Sequence, residues 1–193
     1  MTAVSEPLLL LLAGWCSGIS VYLTVALLGI SGRMGWMELP AGLDVLSHPL
    51  IIILAIAIFA VEFVADKVPF VDSAWDSVHT FIRPLGAVWL GYAAGSDQGP
   101  LLQTTYAFLT GTIALNTHAA KAAGRLAINT SPEPFSNIAA STTENATVFF
   151  LFWLFIKHPI IASILLAALT VLSFLLLRML WRFVLKLFRR NQV

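Results

Sequence analysis

The sequence is poor in charge and almost devoid of cysteine. Asp, Glu, Lys and Arg make up 11% of its 193 residues, where a soluble domain carries about a quarter. Such a shortage excludes an ordinary globular protein in water, whose surface must be charged to stay dissolved. Cys16 is the single cysteine, which excludes an internal disulfide and any cysteine-based metal centre; in an apolar run it is most simply core packing. A formal charge of +1 says little about partners, and no nucleic-acid partner is expected. P-loop, GxGxxG, HExxH, GxSxG and paired CxxC motifs are absent, so nucleotide binding, Rossmann cofactors, zinc proteolysis and serine hydrolysis find no support. No cofactor is expected.

Hydrophobic residues are plentiful, at 59% with a mean hydropathy of +0.87. The expectation is an all-α, polytopic membrane helical bundle of about six transmembrane helices in one membrane domain over 1–193. The spans are read at about 7–30, 48–66, 69–93, 101–126, 134–156 and 159–180, with a basic interfacial tail over 178–193. No Lys or Arg precedes Arg33, so the first run lacks the basic start of a signal peptide and reads as a retained helix. The connection after it, with Arg33, Trp36, Glu38 and Asp44, suits a short interfacial helix. In the second span Leu50 to Val61 is uniformly apolar, yet it covers only about 18 Å at 1.5 Å per residue. Crossing a core of about 30 Å therefore takes Glu62 along.

Lys and Arg set the orientation. With both ends inside, Lys67, Lys121, Arg125, Arg178, Arg182, Lys186, Arg189 and Arg190 fall on the cytoplasmic face; Arg33 and Lys157 fall outside, and Arg83 lies within a helix. That bias favours N-in and C-in. Trp36, Trp89 and Trp153 then mark the outer interface and Trp181 the inner one. The tail, where bases alternate with Trp181, Phe183, Leu187 and Phe188, is expected to sit on acidic lipid headgroups. His48 and His158, each before a proline, read as interface residues, and the Asn-x-Ser at 129–131 is irrelevant on the cytoplasmic side.

Against this background the polar residues form a pattern. Asp72, Asp76, His79 and Arg83 recur on one face of the third span, and Asn137, Ser141 and Glu144 on the matching face of the fifth. Both helices open with Pro-Phe, at Pro69 and Pro134. The preceding spans end in pairs four apart, Glu62 with Asp66 and Lys121 with Arg125, and His118 joins the second pair. This resemblance between 48–93 and 101–156 suggests an internal repeat of helical hairpins, of a kind found in transporters. His79 and Glu144 each lie ten residues past their proline, about 15 Å deep. Ionisable groups there are costly and are functional candidates by default.

Two uses compete. One is a wet pathway in which Glu62, Asp66, Lys67, Asp72, Asp76, His79, Arg83, His118, Lys121, Arg125, Asn137, Ser141 and Glu144 hold a small polar solute or ion, the mixed signs suiting a zwitterionic or anionic cargo coupled to protons. The other is structural glue, Glu62 and Asp66 bridging to Lys121 and Arg125 in a structural or adaptor protein. Asp72 and Asp76 invite a hard cation, though as acids near a helix start they also fit the helix dipole alone, and no metal is assigned. Arg83, ahead of Pro84, suits either an anion at a kink or a pair with Glu144 or Asp76. An intramembrane enzyme on a lipid phosphate, again using Asp72 and Asp76, is a third class. It lacks the Asp-Gly and Ala-Arg elements that mark the CDP-alcohol phosphotransferases, and an enzyme is not the expectation.

Glu62-Phe63-Val64-Ala65-Asp66-Lys67-Val68-Pro69, Val71-Asp72-Ser73-Ala74-Trp75-Asp76, His79-Thr80 and Ile82-Arg83-Pro84 together resemble the hallmark of a small bacterial membrane family described as "domain of unknown function 4126". Thr117-His118, Lys121, Arg125, Ser131-Pro132-Glu133-Pro134, Asn137 and Ser141 resemble its second block. The similarity runs from Gly18 to about Phe155. It implies a multi-pass protein of the bacterial inner membrane and carries no activity, catalytic residue or cofactor. It also implies an acidic residue after Glu144 in relatives, where this chain has Asn145 and so less local negative charge. A homo-oligomer fits the Gly and Ala content of the first and fourth spans.

Overall fold

The computed structural model describes the backbone of residues 6–129 and 134–190, and every described residue lies in a helix or a short connection, with no strand among them. In chain order the elements are α1 (Glu6–Ile19), α2 (Val21–Arg33), a 3-10 helix (Ala41–Ser47), α3 (Pro49–Ala65), α4 (Pro69–Ala94), α5 (Pro100–Asn129), α6 (Pro134–Lys157) and α7 (Pro159–Arg190). The remainder of the turn around Ser131-Pro132-Glu133 and the side chains of the tail from 183 onward lie outside the described residues.

Proline sets most helix starts. α3, α4, α5, α6 and α7 each open on one, where the missing N–H would be unpaired anyway and the ring presets a helical φ. His48 caps α3, its Nδ1 accepting from Leu50 N at 3.3 Å. Gly99, at φ +84°, makes the turn into α5, a backbone region that glycine enters without steric penalty.

The first expected span is not one helix. Residues 7–30 divide at Ser20, whose backbone is extended (φ −152°, ψ 109°) and whose Oγ accepts from Leu23 N at 3.2 Å. The serine side chain offers the backbone a partner that competes with the helical one, which is how serine interrupts an apolar helix. The other expected stretches agree with the observed helices to within a few residues, save that the last continues to Arg190, and the connection after Arg33 holds a short 3-10 helix at 41–47.

Packing is densest between α4 and α5, with α1 lying along both. Gly18 permits that approach: a Cβ there would stand 2.6 Å from the carbonyl oxygen of Ala114 and from Cβ of Thr117. Asn116 ties α5 to α7, donating to Thr170 O at 3.2 Å and Ser173 Oγ at 2.6 Å.

Burial is inverted relative to a protein in water. Arg83 is 0% exposed and Glu62 1%, whereas Phe70 is 91% exposed and Phe81 72%. Water would expel both arrangements, and hydrocarbon favours both. By length and apolar composition α6 and α7 are able to cross a bilayer as they stand; α3 joins them if counted with the 3-10 helix, from which it is bent by 69°. The chain is therefore membrane-associated. Trp36, Trp89, Trp153 and Trp181 all reach the surface.

Candidate functional site

Four helix segments and one break converge on a single buried cluster. α3 delivers Glu62 in its last turn and Asp66 as its C-terminal cap. After the two-residue connection, α4 presents Asp72, Asp76, His79 and Arg83 on its inner face, every one of them buried. α5 contributes His118, Lys121 and Arg125, and α6 contributes Asn137, Ser141 and Glu144. The gap between α1 and α2 adds Ser20.

Arg83 is the bridge at one end. Its Nη2 donates to Glu62 Oε1 at 2.8 Å, and its Nη1 to Asp76 Oδ1 at 2.8 Å and His118 Nδ1 at 2.7 Å. Glu62 also accepts from the hydroxyl of Ser20. Lys121 occupies the middle. Its Nζ lies 3.0 Å from Asp66 Oδ2, 3.6 Å from Glu144 Oε2 and 3.9 Å from Asp76 Oδ1, and donates at 3.3 Å to the carbonyl of Ile19, the last residue of α1. Arg125 holds the other end. Its Nε and Nη2 grip Glu144 at 3.0 and 2.8 Å, and its Nη1 donates to the backbone and side-chain oxygens of Asn137 and to Asp66 O. The two-pronged geometry on Glu144 is what the planar guanidinium favours.

His79 stands beside this chain. Its Nδ1 donates to Trp75 O at 2.8 Å, its Nε2 meets Tyr22 Oη at 3.2 Å, and its ring stacks on Trp75 at 4.5 Å. Lys67, at the rim, reaches Ser141 Oγ at 3.2 Å and lies over the Phe63 ring. Partial burial pulls its ammonium below the ordinary lysine range, Arg125 adds to the shift and Asp66 opposes it.

All thirteen expected site residues thus belong to one neighbourhood, but several pairings differ from expectation. Glu62 bonds Arg83 and not Lys121 or Arg125, because α4 interposes its arginine. Arg83 faces carboxylates, so it offers no open site for an anion. His79 and Glu144, expected at one depth, turn to different partners, Tyr22 and Trp75 for the first and Arg125 and Lys121 for the second. Asp72 and Asp76 are more than dipole partners: one oxygen from each, with one from Asp66, gather within 4.8 Å. Sequence reasoning missed Ser20, Tyr22 and Thr80. Ser20 had a signal, a hydroxyl two residues after a glycine in the middle of an apolar run, while Thr80 follows His79 directly in the motif.

A cavity of about 240 Å³ adjoins the cluster between α4 and α5, reaching Asp76, Arg125, Ser73, Ser77 and Thr80. At about 30 Å³ of liquid per molecule, it has room for several waters or one small ion with part of its hydration. A larger apolar groove, of about 360 Å³ between α2 and α6, is lined by residues such as Leu27, Trp36 and Phe152 and offers no comparable chemistry.

A family profile described as "Domain of unknown function (DUF4126)" matches residues 8–179. No match is found among the curated proteins or the solved structures.

Proposed function

We infer the function of this chain, which belongs to the family described as Domain of unknown function (DUF4126), from its site: it is a small multi-pass transporter or channel-like protein that moves a small cation through the buried charge cluster. The observation that carries this reading is charge imbalance. Five carboxylates (Glu62, Asp66, Asp72, Asp76 and Glu144) face three enclosed cations, Arg83, Lys121 and Arg125. Lys67 on the rim leaves at least one negative charge in excess. An uncompensated charge in a low-dielectric interior costs several kcal/mol. A proton or a metal ion removes that cost, whereas an anionic cargo adds to it.

The break at Ser20 supports the same reading. Interrupted membrane helices expose backbone carbonyls at their half-helix ends, and these are common cation ligands in transporters; here Ile19 O already faces an ammonium. Counting α1 and α2 as one broken span gives six crossings in the bacterial inner membrane, N-in and C-in. α4 and α5, at 26 and 30 residues, are about 39 and 45 Å long, ample for a crossing. Their mean hydropathy is low because they carry the cluster, and those side chains point inward. The inward positions of α4 and α6 also correspond, Asp72 with Asn137 and Asp76 with Ser141, each buried, as hairpins of an internal repeat would have them. The tail would rest on acidic headgroups.

Flux in proteoliposomes tests the proposal: protons, Na⁺, K⁺, Mg²⁺ and Mn²⁺ are offered to wild type, Asp76→Asn and Glu144→Gln. At least one cation is expected to enter tenfold faster than in protein-free vesicles, with both variants impaired. Entry at the protein-free rate for every cation overturns it. A second reading, a structural protein whose charges only lock the bundle, is favoured by the engagement of Arg83, Lys121 and Arg125 in two or more ion pairs each. It predicts no flux.

A further inference from the structure

We propose that Asp66, Asp72 and Asp76 form a binding site for a hard divalent cation, and that the Lys121 ammonium is a tethered occupant which such an ion displaces. The site deepens the transport reading by naming the cargo class, but it stands on its own geometry.

Asp66 ends α3 and Asp72 and Asp76 lie one turn apart on α4, so a tight inter-helix connection brings three carboxylates of one sequence segment together. One oxygen from each falls within 4.8 Å of the others. Oxygens sharing one ion at about 2.1–2.4 Å lie no more than about 4.8 Å apart. The donor set is all oxygen, which suits Mg²⁺, Mn²⁺ or Ca²⁺ over metals that prefer nitrogen or sulfur.

Proximity among acids would carry little alone. The independent observation is that two of these groups have unused acceptors: Asp66 Oδ1 and Asp76 Oδ2 are buried and have no hydrogen-bond partner among the described residues. Asp66 is 2% and Asp76 5% exposed. A buried carboxylate oxygen without a donor loses its hydration for nothing in return, and such atoms call for a missing ligand. Asp76 also lines the 240 Å³ cavity, whose Ser73, Ser77 and Thr80 give an approaching ion a polar route.

Lys121 shows that a cation rests here. Its ammonium sits among Asp66 Oδ2, Asp76 Oδ1, Glu144 Oε2 and the Ile19 carbonyl, oxygens from four different helices. Glu144 and Ile19 O also hold Lys121, so the side chain has acceptors to keep when an ion takes Asp66 and Asp76. With Lys121 still in the cluster, the two charges of a divalent ion match the excess of five buried or half-buried carboxylates over Arg83, Lys121 and Arg125.

Purified full-length protein in detergent is titrated with Mn²⁺, following the bound fraction by electron paramagnetic resonance and the unfolding temperature. Wild type is expected to bind one equivalent saturably, with a rise in unfolding temperature that Mg²⁺ competes for and Na⁺ does not. Asp72→Asn removes both effects. Lys121→Met, freed of the competing ammonium, binds at least tenfold tighter. No saturable binding in wild type, or equal binding by Asp72→Asn, overturns the site; affinity unchanged in a folded Lys121→Met overturns the role of the lysine. Binding without flux keeps this site and removes transport, and flux of protons without Mn²⁺ binding does the reverse.

Discussion

Arg83 donates through Nη1 to Nδ1 of His118 at 2.7 Å, an arginine spending a hydrogen bond on an imidazole inside an acidic cluster. A guanidinium has no acceptor, so Nδ1 of His118 must be bare and the proton must sit on Nε2. Nε2 then donates to Thr80 Oγ1 at 2.9 Å, and the Thr80 hydroxyl in turn donates to Asp76 O at 2.9 Å. His79 has the opposite tautomer, because its Nδ1 faces a carbonyl that can only accept. Nitrogen-15 NMR of histidine-labelled protein is expected to show, besides the rings of His48 and His158, a neutral ring protonated on Nε2 that is lost in His118→Gln and one protonated on Nδ1 that is lost in His79→Gln. An imidazolium signal at His118 at neutral pH would contradict the geometry.

Removing Arg83 leaves Glu62 and Asp76 facing each other without their bridge. Arg83→Met is expected to destabilise by about 3–5 kcal/mol, the usual cost of uncovering a buried charge. Because that cost belongs to the stranded partner, Arg83→Met combined with Glu62→Gln should lose clearly less than the sum of the two single changes. Denaturant titration in mixed micelles, monitored by circular dichroism, measures both.

Gly18 marks the closest approach of α1 to α5. Gly18→Ala places its Cβ 2.6 Å from Ala114 O, and overpacking of this kind costs about 1–3 kcal/mol. The displaced α1 carries Ile19 O with it, so Mn²⁺ affinity should change in step with stability. Thermal unfolding and the same titration check this together; Gly124→Ala, with open space around its Cβ, is the matched control and should be neutral or slightly stabilising.

Ser20→Ala removes the hydroxyl that caps α2 and bonds Glu62. The expected loss is about 1–2 kcal/mol, from one cap and one buried hydrogen bond. Ser20→Thr keeps the hydroxyl and should recover most of it.

Lys67 is the titrating group at the rim. Its folded value lies below the ordinary one, so the unfolded chain binds more protons across the window between the folded value and about 10.4, and stability rises with pH there. Below that window the burial of the ammonium opposes folding in full. Wild type is therefore expected to gain unfolding temperature relative to Lys67→Met as the pH rises toward about 10.4.

The sequence by itself determined the helices, their proline starts and the stripes of ionisable residues, because these follow from local rules: φ at proline, hydropathy along a run, and the 3.6-residue turn. It also placed the ionisable members of the cluster, since i, i+4 and i+7 fix a face whatever that face meets, while Ser20, Tyr22 and Thr80 escaped it. Which acid meets which base was left to the tertiary structure. Glu62 takes Arg83 because α4 lies nearer to it than α5 does, and the carbonyl that holds Lys121 comes from a helix break that no periodicity announces. Pair identity depends on the relative depth and rotation of helices far apart in the chain, and those are set by packing at contacts such as Gly18 against Ala114, where one methyl group decides how close two backbones can come.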